Sequence, residues 1–557
     1  MFNLKSLKRD TNRWSWYTLF LVGFVTLPLF ALFIRTFSGP GESWSHLMDT
    51  VLVGYAINSL LLVLGTSFFS LLLGISSAWA VSRYRFPFKK TLEWLLIVPL
   101  TLPSYIMAYA YAGIFDYGGA FSVFAKALGL GYDKVDILNL PGLIFILSIS
   151  LYPYVYVASR AVFLYQSSRL IEASSLLGAK ESKTLFQVVL PMARPAIFGG
   201  LLLVVMEVLN DYGAAKYYGV STLTTGIFRA WFALEEPNTA VFLSIILLLM
   251  VFTFVVLERW QRGNRSFQIA TKSDIRLQPI HPSKRKGVFL FVIASTPVFL
   301  GFLLPLFQLL KWLGITWYKT SSSDYIRIAL QSMGIALLSA VLTVLVVLMV
   351  IYFPKWNRLK ILKGSTSLAT LGYAIPGAIL AIGVMLPTLQ IDRWLLKLSQ
   401  SVNGSDFGTI FLLNGTIIAL VYAYIIRFLA VGFKPLKGSQ LKLGESLSES
   451  SKLLGKSTLK TFFKIDAPLL KTGILSALLL VFVDIMKELP LTLILKPYDV
   501  NTLAVKAYEY ASDELIMESA LPSLTIIIAG LLPILFLNKL LLQDSRSTKE
   551  KNRRTIH

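Results

Sequence analysis

The sequence predicts an all-α membrane protein with about twelve transmembrane helices in two tandem six-helix repeats. Three observations carry that prediction. Hydrophobic residues make up 55% of the 557 and charged residues 15%, with a mean hydropathy of +0.66. Apolar runs of about 18 residues or more, long enough to cross a bilayer, recur along the whole chain. A polar segment also occurs twice: Glu172-Ala173-Ser174-Ser175-Leu176-Leu177-Gly178 and Glu449-Ser450-Ser451-Lys452-Leu453-Leu454-Gly455. Each copy reaches a proline, Pro191 or Pro468, at the same distance, and one offset of 277 relates Glu to Glu, Gly to Gly and Pro to Pro.

The first run, near 17–34, follows Lys5, Lys8, Arg9 and Arg13, which resemble the charged start of a signal peptide. Its length and the lack of a small-x-small cleavage site predict an uncleaved span. Runs near 56–81, 92–115, 140–160, 196–214 and 240–258 complete a first set of six. A basic linker with Pro279 and Pro282 occupies 259–286. Runs near 287–310, 326–353, 366–389, 409–433, 473–495 and 519–542 form the second set. The predicted organisation is a tail 1–16, a first repeat 17–258 (core about 56–258), the linker 259–286, a second repeat 287–542 (core about 326–542) and a tail 543–557. Two further alignments support the duplication. Thr101-Leu102-Pro103-Ser104 matches Ala374-Ile375-Pro376-Gly377 at an offset of 273, and Thr222-Leu223 matches Thr502-Leu503 at 280.

The net charge of +23 raises the question of nucleic acid. Placing the N-terminus and alternate loops in the cytoplasm puts roughly three quarters of the basic residues on that side, the positive-inside pattern. The charge therefore reports orientation, with both termini and both polar segments cytoplasmic, and no nucleic-acid partner is expected. There is no cysteine and only three histidines, His46, His281 and His557, in loops or at the terminus. Thiolate chemistry is excluded, and no metal site is predicted.

The repeated segment resembles the EAA loop of binding-protein-dependent ABC importer permeases: Glu-Ala-Ala, three residues, Gly, nine residues, Ile-x-Leu-Pro. The first copy departs at Ser174 and Val188. The second departs further, with Ser450 and Ser451 for both alanines and Ala467 for leucine. The resemblance implies the Type I importer permease fold and a coupling role for Glu172, Ala173, Gly178, Leu190, Pro191, Glu449, Gly455 and Pro468. It also implies two copies of an ABC ATPase subunit as partners, a periplasmic or lipid-anchored binding protein, and a bacterial inner-membrane location. ATP and Mg would belong to the ATPase, and this chain would bind no cofactor. The stretches 210–220, 224–231, 487–490 and 507–514 look like the ferric-iron branch of fused permeases. The implied cargo is ferric iron, with thiamine, polyamine or another small solute as the alternative.

Gly455-Lys456-Ser457 is not a phosphate loop, because the position five before Gly455 is Ser450 and no strand precedes it. The chain is therefore expected not to be an enzyme. Acidic residues inside apolar spans are costly and functional by default. Glu207 and Asp211 lie four apart in the fifth run, Asp484 and Glu488 four apart in the eleventh, and the pairs are related by 277. Four residues bring side chains to one helix face, so each helix is expected to present two carboxylates. All four are expected to line the translocation path, facing each other across a pseudo-twofold axis, where oxygen donors suit a hard cation. Local pairing with Lys487 is the structural alternative. A proton-coupled secondary transporter with twelve spans is the rival class; it needs no cytoplasmic docking segment.

Overall fold

A computed structural model describes residues 13–129, 135–165, 168–262, 279–320, 323–356, 372–403, 412–443, 446–533 and 535–536. Among them, ten helices are long and apolar enough to cross a membrane, or up to twelve if two bent pairs each count as one span. Each falls on one of the twelve apolar runs. The bent pairs are Lys89–Thr101 with Ser104–Ala127, at 96°, and Thr458–Leu469 with Lys471–Met486, at 74°. Pro103, which cannot donate to a helix ladder, lies at the first break.

The helices gather into two compact units that are not the two sequence halves. One comprises Met1–Gly39, Ser322–Lys506 and Thr525–His557; the other comprises Pro40–Ser321 and Ala507–Leu524. The first span thus belongs with second-half helices and the seventh with first-half helices, so the compact units do not follow the repeat boundaries 17–258 and 287–542 read from sequence. Hydropathy identifies a span but is silent about its neighbours.

The local reasons are specific. In the first unit, Arg13–Thr36 packs on Gly377–Asn403, where a Cβ on Gly383 would lie 2.8 Å from the Pro28 carbonyl oxygen. Only a missing side chain permits that approach. Pro28 has no N–H, so the Phe24 carbonyl one turn earlier lacks its helical donor. The Tyr422 hydroxyl donates to it at 2.6 Å. Trp14 packs at the other end against Phe353 and Trp356, with ring centroids 5.3 and 4.6 Å away.

The second unit solves the same problem at the mate of Pro28. Pro305 lies 277 residues later, next to a π-turn, Phe299–Leu303, in which the Leu304 amide donates to the Phe299 carbonyl. In that register Pro305 has no N–H to offer Leu300. The Tyr111 hydroxyl takes the Leu300 carbonyl at 2.8 Å. Buried carbonyls without a donor are costly, above all away from water. We expect Tyr422→Phe to lower stability by about 1–2 kcal/mol, read as a fall in the melting temperature of the detergent-solubilised protein. An unchanged melting temperature would show that this carbonyl finds another donor.

Candidate functional site

The two polar segments fold alike. The first runs through a helix Ser168–Leu176, a turn at Gly178, a helix Glu181–Thr184 and a π-turn Leu185–Val189 into the helix Leu190–Asn210. The second runs through Ser446–Leu453, Gly455, Thr458–Thr461, the π-turn Phe462–Asp466 and Ala467–Leu469. Gly178 and Gly455 have φ of +76° and +77°, left-handed values that cost glycine little. Ser174 and Thr184 share a hydrogen bond of 2.8 Å, and their mates Ser451 and Thr461 share one of 3.0 Å. The Ala179 amide donates to the Ser174 carbonyl at 3.1 Å, as does Lys456 to Ser451 at 3.2 Å. Each π-turn ends just before a proline pair-mate, Pro191 or Pro468. Such one-turn π insertions often mark functional sites.

The residues singled out from sequence sit on these elements. Glu172, Ala173, Gly178, Glu449, Gly455 and Pro468 are exposed, while Leu190 and Pro191 are half-buried. Sequence reasoning overlooked the leucines. Leu176 and Leu177 are 89% and 86% exposed, and Leu453 and Leu454 are 88% and 81% exposed. Two adjacent leucines held out at a helix end, in duplicate and beside a polar helix, form an unpartnered apolar knob. The signal was present, since Leu-Leu-Gly is identical in both copies.

Each segment is braced from outside through an acidic residue, Glu181 in the first and Asp466 in the second. Glu181 accepts hydrogen bonds from the Tyr84 hydroxyl and the Lys286 ammonium. Lys286 also lies 4.6 Å from the centre of the Tyr84 ring. Burial, then the bond to Glu181, pushes the Tyr84 phenol above its ordinary value, so it remains a donor. The residue 277 after Glu181 is Thr458. In the second segment Ser448 donates its hydroxyl to Asp466 at 2.6 Å, and the Tyr352 side chain also hydrogen-bonds Asp466.

The intramembrane carboxylates depart from expectation. The helix carrying Glu207 ends at Asn210, and the helix carrying Asp484 ends at Met486. Asp211 and Glu488 therefore lie beyond the helix ends, and spacing of four does not set them on a shared face. Asp211 is 9% exposed; it accepts from the Ala214 and Ala215 amides at 2.9 and 3.2 Å and from the Ser104 hydroxyl. It thereby satisfies the first amides of the short helix Gly213–Tyr217. Glu488 is 6% exposed and accepts from the Leu491 amide at 3.1 Å, in the short helix Pro490–Leu495. Its other oxygen takes the Arg427 Nε at 3.0 Å, while Arg427 Nη1 donates to the Ile375 carbonyl at 3.0 Å.

One methylene separates these two solutions. In the first repeat the short Asp211 leaves room for Ser104. In the second the longer Glu488 faces Gly377, the mate of Ser104, where a Cβ would lie 2.8 Å from Glu488 Oε1. Asp484 pairs with Lys487 at 2.8 Å, so the local pairing weighed from sequence is present. Glu207 is half-buried. Among the described residues no group of three or more His, Cys, Asp or Glu is placed to hold a metal ion.

The sequence is similar to those of known proteins. Residues 70–262 match the family described as "Binding-protein-dependent transport system inner membrane component". The chain is 24% identical over 532 residues to the Fe(3+)-transport system permease protein FbpB 2 of Haemophilus influenzae, covering 94% of this chain and 98% of that protein. It is 26% identical over 254 residues to the sulfate transport system permease protein CysT of Salmonella typhimurium, covering 43% and 89%. It is also similar to the molybdate/tungstate transport system permease protein WtpB of Thermococcus kodakarensis, 23% over 210 residues, covering 37% and 78%. The shorter relatives span about half of this chain or less, as expected where one chain holds two repeats. Its apolar helices, its duplicated segment and the match over residues 70–262 make this chain similar to fused membrane permeases of the binding-protein-dependent importer type.

Proposed function

We propose that this permease imports ferric iron, driven by two separate ABC ATPase subunits that seat on its two polar segments. The observation that carries the docking half is the duplicated leucine knob beside Glu172 and Glu449, exposed where an idle loop would leave only polar groups. Both segments and both termini lie in the cytoplasm in this reading, as the positive-inside asymmetry requires. A periplasmic or lipid-anchored binding protein hands cargo to the outer face of the bacterial inner membrane. ATP and Mg reside on the ATPases. Closure of the ATPase pair on ATP pulls the two segments and opens the path outward; hydrolysis resets it inward.

Iron is favoured by the relative that matches end to end, whereas the sulfate and molybdate/tungstate permeases match a single repeat's length. Carboxylates in the spans also favour a cation over an oxyanion, since oxygen donors suit hard cations. We assign Asp211 and Glu488 to the framework and Glu207 and Asp484 to the path. The test is uptake of isotopically labelled ferric iron by proteoliposomes holding the chain with its ATPase and binding protein. Uptake should require ATP and should fall at least about tenfold when Glu207→Gln and Asp484→Asn are combined. Uptake sustained by a proton gradient without ATP would overturn the importer reading. ATP-driven uptake of sulfate but not iron would overturn the cargo.

A further inference from the structure

We propose that a cluster of buried and half-buried phenols in the unit Pro40–Ser321 with Ala507–Leu524 is a specificity-determining contact for a hard trivalent cation; this rests on the ferric reading above. Tyr105, Tyr109 and Tyr217 form a row, with ring centroids 5.9 Å apart for the first pair and 4.8 Å for the second. Beside it, the Tyr508 hydroxyl donates to that of Tyr212 at 3.2 Å. Tyr105, Tyr217, Tyr508 and the Asp211 carboxylate all lie close enough to act electrostatically on Tyr109. Asp116 and Glu514 do the same for Tyr217 at the other end of the row. The cluster therefore strings phenol oxygens between carboxylates.

The duplication separates what folding needs from what it does not. At the equivalent positions of the second repeat, Tyr105 becomes Ala378 and Tyr109 becomes Ile382 at the offset of 273. Tyr212 becomes Leu489 and Tyr217 becomes Ile494 at 277. Tyr508 has Phe228 as its counterpart at 280. Ala378, Ile382 and Leu489 are buried, so the fold fills these positions without a single hydroxyl. Tyr109 is fully buried, and its hydroxyl has no hydrogen-bond partner among the described residues. A buried unpaired hydroxyl is unfavourable, and an isosteric phenylalanine would avoid that cost. Four phenols of the first repeat with no hydroxyl at their mates, and Tyr508 of the second against Phe228 in the first, are thus explained by what they bind.

The chemistry fits a hard, strongly polarising cation. A trivalent ion displaces the phenol proton, the Fe–O bond forms as the O–H bond breaks, and the proton is released to the aqueous path. Fe³⁺ stays Fe³⁺ throughout, so no reductant is needed. A divalent ion polarises the phenol less and is held more weakly.

The test uses the full chain with its ATPase and binding protein in proteoliposomes, comparing wild type with the combined Tyr105→Phe, Tyr109→Phe, Tyr212→Phe and Tyr508→Phe variant. Labelled ferric uptake should fall about tenfold or more, and ATP hydrolysis by the variant complex should show that it assembles. Ferric citrate added to the wild type should raise a visible phenolate-to-iron charge-transfer band, and the variant should lack it. Tyr109→Ile, the side chain of the equivalent position, is the second variant, and a fall in uptake there keeps the test decisive if the fourfold variant does not assemble. Equal uptake by variants and wild type overturns the phenol site and leaves the iron reading standing. A wild type that imports no ferric iron overturns the iron reading, and this inference with it.

Discussion

Replacing Arg427 by methionine should be among the most destabilising single changes in this protein, by about 3–5 kcal/mol. Arg427 and Glu488 are each 6% exposed on their side chains and bonded at 3.0 Å. Removing the guanidinium leaves a buried carboxylate without its counter-charge, and frees the Ile375 carbonyl that Arg427 Nη1 had satisfied. The pair as a whole need not be strongly stabilising, because two ions were taken out of water to make it. Breaking it is what costs. The combined variant Arg427→Met with Glu488→Gln should recover part of the loss, since a glutamine oxygen still accepts from Leu491 and carries no charge. The measurement is the thermal melting of the detergent-solubilised chain; equal melting of Arg427→Met and wild type would sink the argument. The first repeat offers a comparison within the same protein. Ser150 stands 277 residues before Arg427, and Asp211 relies on Ser104 and two amides instead of a cation. Asp211→Asn, which keeps an acceptor for those amides, should therefore cost far less than Arg427→Met.

That contrast marks where the sequence was legible and where it stopped. The spans were readable because crossing a bilayer demands a long apolar run, and among the described residues each of the twelve runs meets a helix or a bent pair. The duplicated segment was readable because its spacing recurs, and its two copies fold with matching turns, π-turns and serine–threonine bonds. Asp211 and Glu488 misled because four-residue spacing means one face only while the helix continues. Here each carboxylate follows a helix end and accepts the first amides of the next short helix. The sequence marks each break only by the residue that opens the next short helix, Gly213 or its mate Pro490. The packing of the first and seventh spans was equally hidden, since a proline such as Pro28 announces a freed carbonyl but not the tyrosine, 394 residues later at Tyr422, that satisfies it. The exposed leucines were passed over for a third reason. Apolar residues are expected inward, so Leu176 and Leu453 read as filler until their exposure was seen.

Those leucines carry the second large effect. With Leu176, Leu177, Leu453 and Leu454 all replaced by serine, the permease should still fold but should lose its ATPase subunits and ATP-driven uptake. Stability should barely change, because side chains more than 80% exposed contribute little burial to the folded chain, and surface changes are typically within about 0.5 kcal/mol. Association is another matter. Fully burying a leucine in a partner's cleft is worth about 1.5–3 kcal/mol, so losing two per segment should weaken each docking site by a factor of about a hundred or more. Co-purification of the ATPase with the variant permease reads the association; proteoliposome uptake reads the coupling. Replacing only one pair tests each segment by itself. Both segments are braced, the first through Glu181 to Tyr84 and Lys286 and the second through Asp466 to Tyr352 and Ser448. Loss of either leucine pair should accordingly impair uptake to a similar degree. If the fourfold variant retains its ATPase and pumps at the wild-type rate, the knobs are not the docking surface, and the motor must grip the permease elsewhere.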